Sequence, residues 1–361
     1  MNITAQITGI EYNPKLTEDL KAFDFNNFNI NELPSYCLIN YDNFLFGLSK
    51  WVSPKRTRSY PYERVYNTLG TAKRITVIPI IKDEGKNGDR DFIQWDTISL
   101  MSLLDVFVVF AYYKTADKHK RRIDKITNQQ FDNELVKQKI SEIKRYHSSA
   151  LHWNLKEITD SFSDLIHKAK TAYNTIGKKL SVKFHNEQGI DKFSNQFIHG
   201  VEGFMQTSRQ KAKEAQNREM HTIQPKEVLS TSTKTSITIE NYLGGKYYFT
   251  ADEIIIHENK VSLIESKHSQ HFILPSKGDI KDGLLKMILF TNLKNVSIDN
   301  INYTIIPVLK LTSSKLEKNI LQSDIEINTS LNNKQKNIVK KLFEEANENN
   351  FNVIIEKARL K

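Results

Sequence analysis

Three side chains within one short stretch have the types and spacing for metal-assisted phosphate chemistry. The stretch is Phe249 to Ser269, FTADEIIIHENKVSLIESKHS, and the residues are Asp252, Glu265 and Lys267. Two neighbouring carboxylates are hard oxygen ligands suited to Mg²⁺. A bound divalent ion polarises a phosphate and helps to generate hydroxide from water. A lysine beside it can position or deprotonate that water and offset charge building on the phosphorane.

Those residues need an element to bring them together, and the stretch supplies one. Phe249 to His257 and Lys260 to Lys267 are rich in β-branched residues and flank the polar pair Glu258-Asn259, which predicts an antiparallel hairpin. Side chains alternate along a strand, so Glu265 and Lys267 share a face and Ser266 takes the other. A turn at 258–259 sets residue 252 opposite roughly residue 265. Charges also collect at strand ends because strand ends meet solvent, and a Glu-X-Lys tripeptide alone is common; the register of Asp252 distinguishes this one.

Asp252 followed by Glu265-Ser266-Lys267 resembles the D-(X)n-(E/D)-X-K signature of the PD-(D/E)XK nuclease superfamily, to which type II restriction endonucleases belong. Ala251 stands where the eponymous proline would be. The resemblance covers roughly residues 235–311. It implies that Asp252, Glu265 and Lys267 are catalytic, that Asp252 and Glu265 hold Mg²⁺, and that the substrate is double-stranded DNA. Superfamily members often place an accessory carboxylate on the helix before the hairpin, and Glu202 is the candidate here.

The remaining chain fits such a protein. It has 361 residues, enough for two or three domains, and a formal charge of +10, which favours a polyanionic partner, most simply nucleic acid; no amphipathic basic helix stands out to support an anionic membrane surface instead. Cys37 is the single cysteine, so no disulfide framework or cysteine zinc site is expected. The first residues lack a signal-peptide pattern, and the longest apolar run, Val106 to Tyr113, is too short to span a bilayer. The expectation is a cytoplasmic protein with no membrane partner and no organic cofactor; a homodimer is compatible with it.

The expected fold class is mixed α/β. An N-terminal α/β region, 1–120, would serve DNA recognition, a helical region would fill 121–222, and a PD-(D/E)XK-like mixed-sheet core flanked by helices would occupy 223–361. Lys50 to Arg74 holds seven Lys/Arg against one acid, Glu63, with aromatics interleaved. Lys55, Arg56, Arg58, Tyr60, Tyr62 and Arg64 are the candidate DNA contacts: cations neutralise phosphates, arginine can read guanine edges, and aromatics stack on bases. Asp83, Glu84, Asp89, Asp91 and Asp96 surround a Gly-containing loop and form a rival metal site, which lacks a matching acid at the end of the next strand. Lys118 to Arg122 is expected to open a helix, and Thr222 to Ser236, rich in Ser and Thr, to be a linker. In the core, Asp279 to Leu293 reads as a helix and Tyr303 to Leu311 as a buried strand, an order that matches the superfamily.

The leading function is a Mg²⁺-dependent, sequence-specific type II restriction endonuclease. A repair or transposition nuclease with the same core and a non-catalytic nucleic-acid-binding regulator remain alternatives. No Gly-rich phosphate loop, nucleophile elbow or zinc motif supports an enzyme acting on a small molecule.

Overall fold

A computed structural model of the chain describes residues 2–54, 61–197, 200, 202–207, 210, 214, 235–241, 245–325 and 329–358. The fold is mixed α/β, as expected. The chain forms two compact units, Met1–Glu18 with Lys211–Lys361, and Asp19–Gln210. These bounds differ from the stretches 1–120, 121–222 and 223–361 read from sequence. The first residues belong with the last ones.

Strand β1 (Asn2–Ile7) starts the first unit. The chain then builds the second unit with β2 (Ala22–Asp24), β3 (Tyr36–Tyr41), β4 (Phe44–Lys50), β5 (Lys73–Pro79), β6 (Ile81–Asp83), β7 (Arg90–Phe92), β8 (Val106–Ala111), β9 (Tyr113–Lys118) and β10 (Ile126–Phe131). Its main sheet has the order β2-β3-β4-β5-β8. Every residue of β8 is buried, as a continuous apolar run requires. The long helix Ala150–Leu180 docks on β8 by hydrogen bonds as well as apolar contact. Trp153 Nε1 donates to the Val108 carbonyl at 2.9 Å, and Asn154 Oδ1 accepts from Val108 N at 2.8 Å. Lys118 to Arg122 does not open a helix. It forms the end of β9 and the connection to β10, because the β9–β10 ladder uses the backbone on both sides of it.

The chain returns to the first unit with β11 (Thr235–Asn241), β12 (Lys246–Ala251), β13 (Glu253–His257), β14 (Lys260–Ser269), β15 (Lys294–Ile298), β16 (Ile301–Asn302), β17 (Thr304–Ser313) and β18 (Asn352–Lys357). The expected linker falls mostly outside the described residues; its last two residues open β11. Two sheets result, β12-β11-β1-β15-β16 and β13-β14-β17-β18. In the second, β13 and β14 are antiparallel, and β14, β17 and β18 run parallel. The helix Lys277–Thr291 makes the crossover from β14 towards β17 and packs on both strands. Ser276 caps it, with its hydroxyl accepting from Asp279 N at 3.1 Å. A second helix, Asn333–Glu348, carries a full capping box at Asn332 and Gln335 and leads into β18.

The segment after β1 is tied to this second helix. Buried Glu345 accepts from Tyr12 Oη at 2.7 Å, Lys15 N at 2.8 Å and Leu16 N at 3.1 Å. Glu18 then pairs at 2.9 Å with Lys281, a fully buried lysine of the crossover helix. No described helix is long and apolar enough to cross a membrane.

Candidate active site

The hairpin forms in the expected register but is shorter than expected: Phe249–Ala251 belong to β12 and pair with β11 in the other sheet, so the first arm begins at Glu253. Glu253 faces Ile264 and His257 faces Lys260, so two residues turn the chain, with Glu258 at φ 54°. Asp252 lies between β12 and β13, at the corner where the chain leaves one sheet for the other. Its backbone N donates to the Ile264 carbonyl at 3.1 Å, and its Oδ2 accepts from Ser266 N at 2.8 Å. The corner therefore holds the Asp252 carboxylate against the Glu265-Ser266-Lys267 segment.

Asp252, Glu265 and Lys267 come together. Glu265 is 2% exposed, and lysines engage both of its oxygens: Lys267 Nζ at 2.9 Å from Oε1 and Lys286 Nζ at 2.7 Å from Oε2. Lys267 Nζ also lies 2.6 Å from Asp282 Oδ2. Lys286 Nζ donates further to the Thr250 carbonyl at 3.1 Å. Sequence reading missed Asp282 and Lys286. The available signal was their spacing of four, which puts an acid and a base on one face of the crossover helix. Charges on a helix usually mean a solvated face, which masked it. Gly283 completes the arrangement. A Cβ there would sit 2.7 Å from Leu309 Cδ1 and 3.4 Å from Lys267 Cε, so its absence lets the Lys267 chain pass close under the helix.

The electrostatics of the two carboxylates diverge. Burial pushes Asp252 up to about 7, and the Glu265 charge adds to the shift. Burial acts the same way on Glu265, but Lys267 and Lys286 override it and hold Glu265 at about 2. Burial alone would lower Lys267; Glu265 and Asp282 instead raise it well above an ordinary lysine, so it stays an ammonium. Carboxylates pushed apart in this way are typical of sites that hold a cation or divide acid and base roles.

The donor chemistry fits Mg²⁺. Burial and the Glu265 charge oppose ionisation of Asp252, Lys286, Ser266 N and Lys267 offset them only in part, and a divalent ion at its oxygens would add to that offset. Among the described residues, no three His, Cys, Asp or Glu side chains surround a single point. Mg²⁺ characteristically takes one or two carboxylates and completes its shell with water and substrate phosphate.

The other nominated residues fall elsewhere. Glu202 is exposed and lies in the Asp19–Gln210 unit. The acidic loop is occupied by structural bonds: Asp83 accepts from Gly85 N at 2.8 Å and meets His185 Nδ1 at 2.9 Å, while Glu84 pairs with Lys82 at 2.9 Å and Lys125 at 2.8 Å. Among the candidate DNA contacts, Lys55, Arg56, Arg58 and Tyr60 lie outside the described residues. Tyr62 is half-buried on the helix Pro61–Asn67. Arg64 turns inward and donates to the Lys50 carbonyl at 2.5 Å. Its neighbours do likewise, with Lys50 Nζ donating to the carbonyls of Ile30 at 2.8 Å and Leu33 at 2.7 Å, and Lys73 Nζ to that of Ile143 at 2.7 Å. Part of that basic run is thus spent on capping carbonyls.

Comparison with family models, with curated proteins and with solved structures finds no match to this chain.

Proposed function

We propose that this protein is a Mg²⁺-dependent endonuclease of double-stranded DNA, resembling a type II restriction enzyme. The observation that carries the reading is the convergence of Asp252, Glu265 and Lys267 at a buried sheet corner, with Asp252 pushed up to about 7 beside an ionised Glu265. The sheet β13-β14-β17-β18 supports it: Glu265 and Lys267 stand on β14, between the antiparallel β13 and the parallel β17, and Asp252 sits at the corner before β13.

Asp252 and Glu265 would hold the ion. When bound, Mg²⁺ supplies Lewis acidity at a phosphate oxygen and a hydroxide at neutral pH. The chain's own residues do the rest. Ser266 N fixes the Asp252 carboxylate, and Lys286 fixes Glu265. Lys267, braced by Asp282, keeps a positive charge beside the pair, where it stabilises negative charge developing on phosphate oxygens. Its strongly favoured ammonium form makes charge stabilisation the better-supported role and proton abstraction the weaker one.

The test is a plasmid digest with Mg²⁺ beside a gel shift with Ca²⁺, on wild type and on Asp252→Ala, Glu265→Ala and Lys267→Ala. Cleavage is lost in all three variants and binding survives. Cleavage that persists in Asp252→Ala and Glu265→Ala places the active site elsewhere. One observation favours a second reading, a non-catalytic DNA-binding regulator: both oxygens of Glu265 are already engaged by lysines. Binding without cleavage by wild type, across many DNAs, would select it.

A further inference from the structure

The Asp19–Gln210 unit contains an open cleft of about 950 Å³. Its walls come from three stretches of chain: the β6–β7 turn, the C-terminal end of the helix Ala150–Leu180, and the segment that follows the helix. The walls are bonded to one another. Lys86 N donates to the Lys183 carbonyl at 2.8 Å, Lys183 N donates to Asp124 Oδ1 at 2.8 Å, and Arg90 Nη1 donates to the Asn186 carbonyl at 2.7 Å.

The charge on this cleft is one-sided. Lys86, Arg90, Lys178, Lys183 and His185 line it, and Glu187 is the one acid among the lining residues. Glu187 pairs with Lys170 at 2.7 Å, so its charge is offset locally. The acids of the β6–β7 hairpin do not balance the rest: Asp83 and Asp91 are buried, Glu84 lies between Lys82 and Lys125, and the exposed Asp89 is not among the lining residues. Lys86, Lys178 and Lys183 are exposed. A helix C-terminus favours nearby cations, which accounts for Lys178. It does not account for Lys86 and Lys183, which stand on other segments.

We propose that this cleft holds the phosphate backbone of the DNA on which the protein acts. The proposal rests on the nuclease reading and adds where that substrate is gripped. Exposed lysines are hydrated point charges, suited to sequence-independent contact with successive phosphates. A small phosphorylated ligand fits less well. Such ligands are taken by enclosed pockets, glycine-rich loops or helix N-termini, and this cleft is open and meets a helix C-terminus.

The experiment uses the full chain, Ca²⁺ and a fluorescent duplex, with affinity measured across a salt series. The cleft variant is Lys86→Ala with Lys178→Ala and Lys183→Ala. The control is Lys315→Ala with Lys334→Ala and Lys340→Ala, three lysines outside the cleft. Thermal unfolding confirms that both fold. The cleft variant weakens binding and flattens the slope of log affinity against log salt by about 2.7, or about 0.9 for each phosphate no longer neutralised; the control leaves the slope in place. Equal slopes for the wild type and the cleft variant overturn the cleft, as does an equal effect in the control. Stabilisation of wild type, but not of the cleft variant, by ATP with duplex affinity unchanged assigns the cleft to a small phosphorylated ligand and also overturns the proposal. Cleft-dependent binding by a wild type that never cleaves leaves the cleft standing and removes the nuclease. Absence of duplex binding by wild type removes both.

Discussion

Two hairpins in this molecule carry clusters of acids, and they treat them in opposite ways. In the β6–β7 hairpin Asp83 and Glu84 each meet donors of their own. Burial would raise Glu84, but Lys125 and Lys82 more than offset it and leave it below an ordinary glutamate. In the β13–β14 hairpin Glu265 takes both lysines, and Asp252 keeps one backbone N–H and a strong push towards the neutral form. The first cluster is a finished structural joint. The second is held in tension that a divalent cation would release. Counting carboxylates could not tell them apart; the distribution of their partners does.

The largest effect expected from breaking this contrast is at Glu265. Glu265→Ala leaves Lys267 and Lys286 close together in a buried place without their anion, at a cost of about 3–5 kcal/mol. Urea unfolding measures it. Its pH dependence follows from the sign of the shift. A carboxylate held at about 2 against an ordinary 4.5 contributes stability above 4.5 that is lost as pH falls towards 2. Glu265→Gln should flatten that acid limb.

Asp252 should behave in the opposite sense. Its carboxyl is raised from 3.8 to about 7, so the unfolded chain ionises first and stability falls as pH climbs through that window. Asp252→Asn keeps the acceptor for Ser266 N and should therefore be more stable than wild type at pH 8, by up to about 4 kcal/mol. Ca²⁺ should raise the unfolding temperature of wild type at pH 8 and leave that of Asp252→Asn nearly unmoved. Equal pH profiles for the two proteins would mean that Asp252 is not under tension.

A smaller loss is expected at Gly283. Gly283→Ala drives a methyl towards Leu309 and the Lys267 chain, costing about 1–3 kcal/mol, with cleavage reduced more than duplex binding. The smallest effect belongs to the settled hairpin. Glu84→Gln loses two ion pairs near the surface, about 0.5–1 kcal/mol, and should leave cleavage unchanged.

Local chemistry in the sequence was legible and distant pairing was not. The hairpin at 249–269 could be read because alternation, a polar turn and charge spacing all lie within one stretch, and its register came out as expected. The all-buried β8 and the crossover helix were readable for the same reason. The place of β1 was not, because its partner β11 lies more than two hundred residues away and nothing within NITAQI points there. Lys286 was hidden because a lysine on a helix looks the same whether it faces water or a buried glutamate. Arg64 looked like a DNA ligand, and Lys50 added to the basic count around it, because the demand for them, open carbonyls of other segments, is invisible in a composition count.

The position of β1 bears on how the molecule is made. β1 lies between β11 and β15 in its sheet, and the whole Asp19–Gln210 unit is inserted between it and β11. During synthesis the inserted unit can complete its sheet while β1 waits unpaired. The first unit closes only after β11, β15 and finally β18 have left the ribosome. The corner that carries the carboxylate pair follows β12, an edge strand of the sheet that closes around β1 only after the inserted unit has been made. A fragment starting at residue 211 would lack its central strand, so separate expression should succeed for 19–210 and fail for 211–361 unless residues 1–18 are supplied.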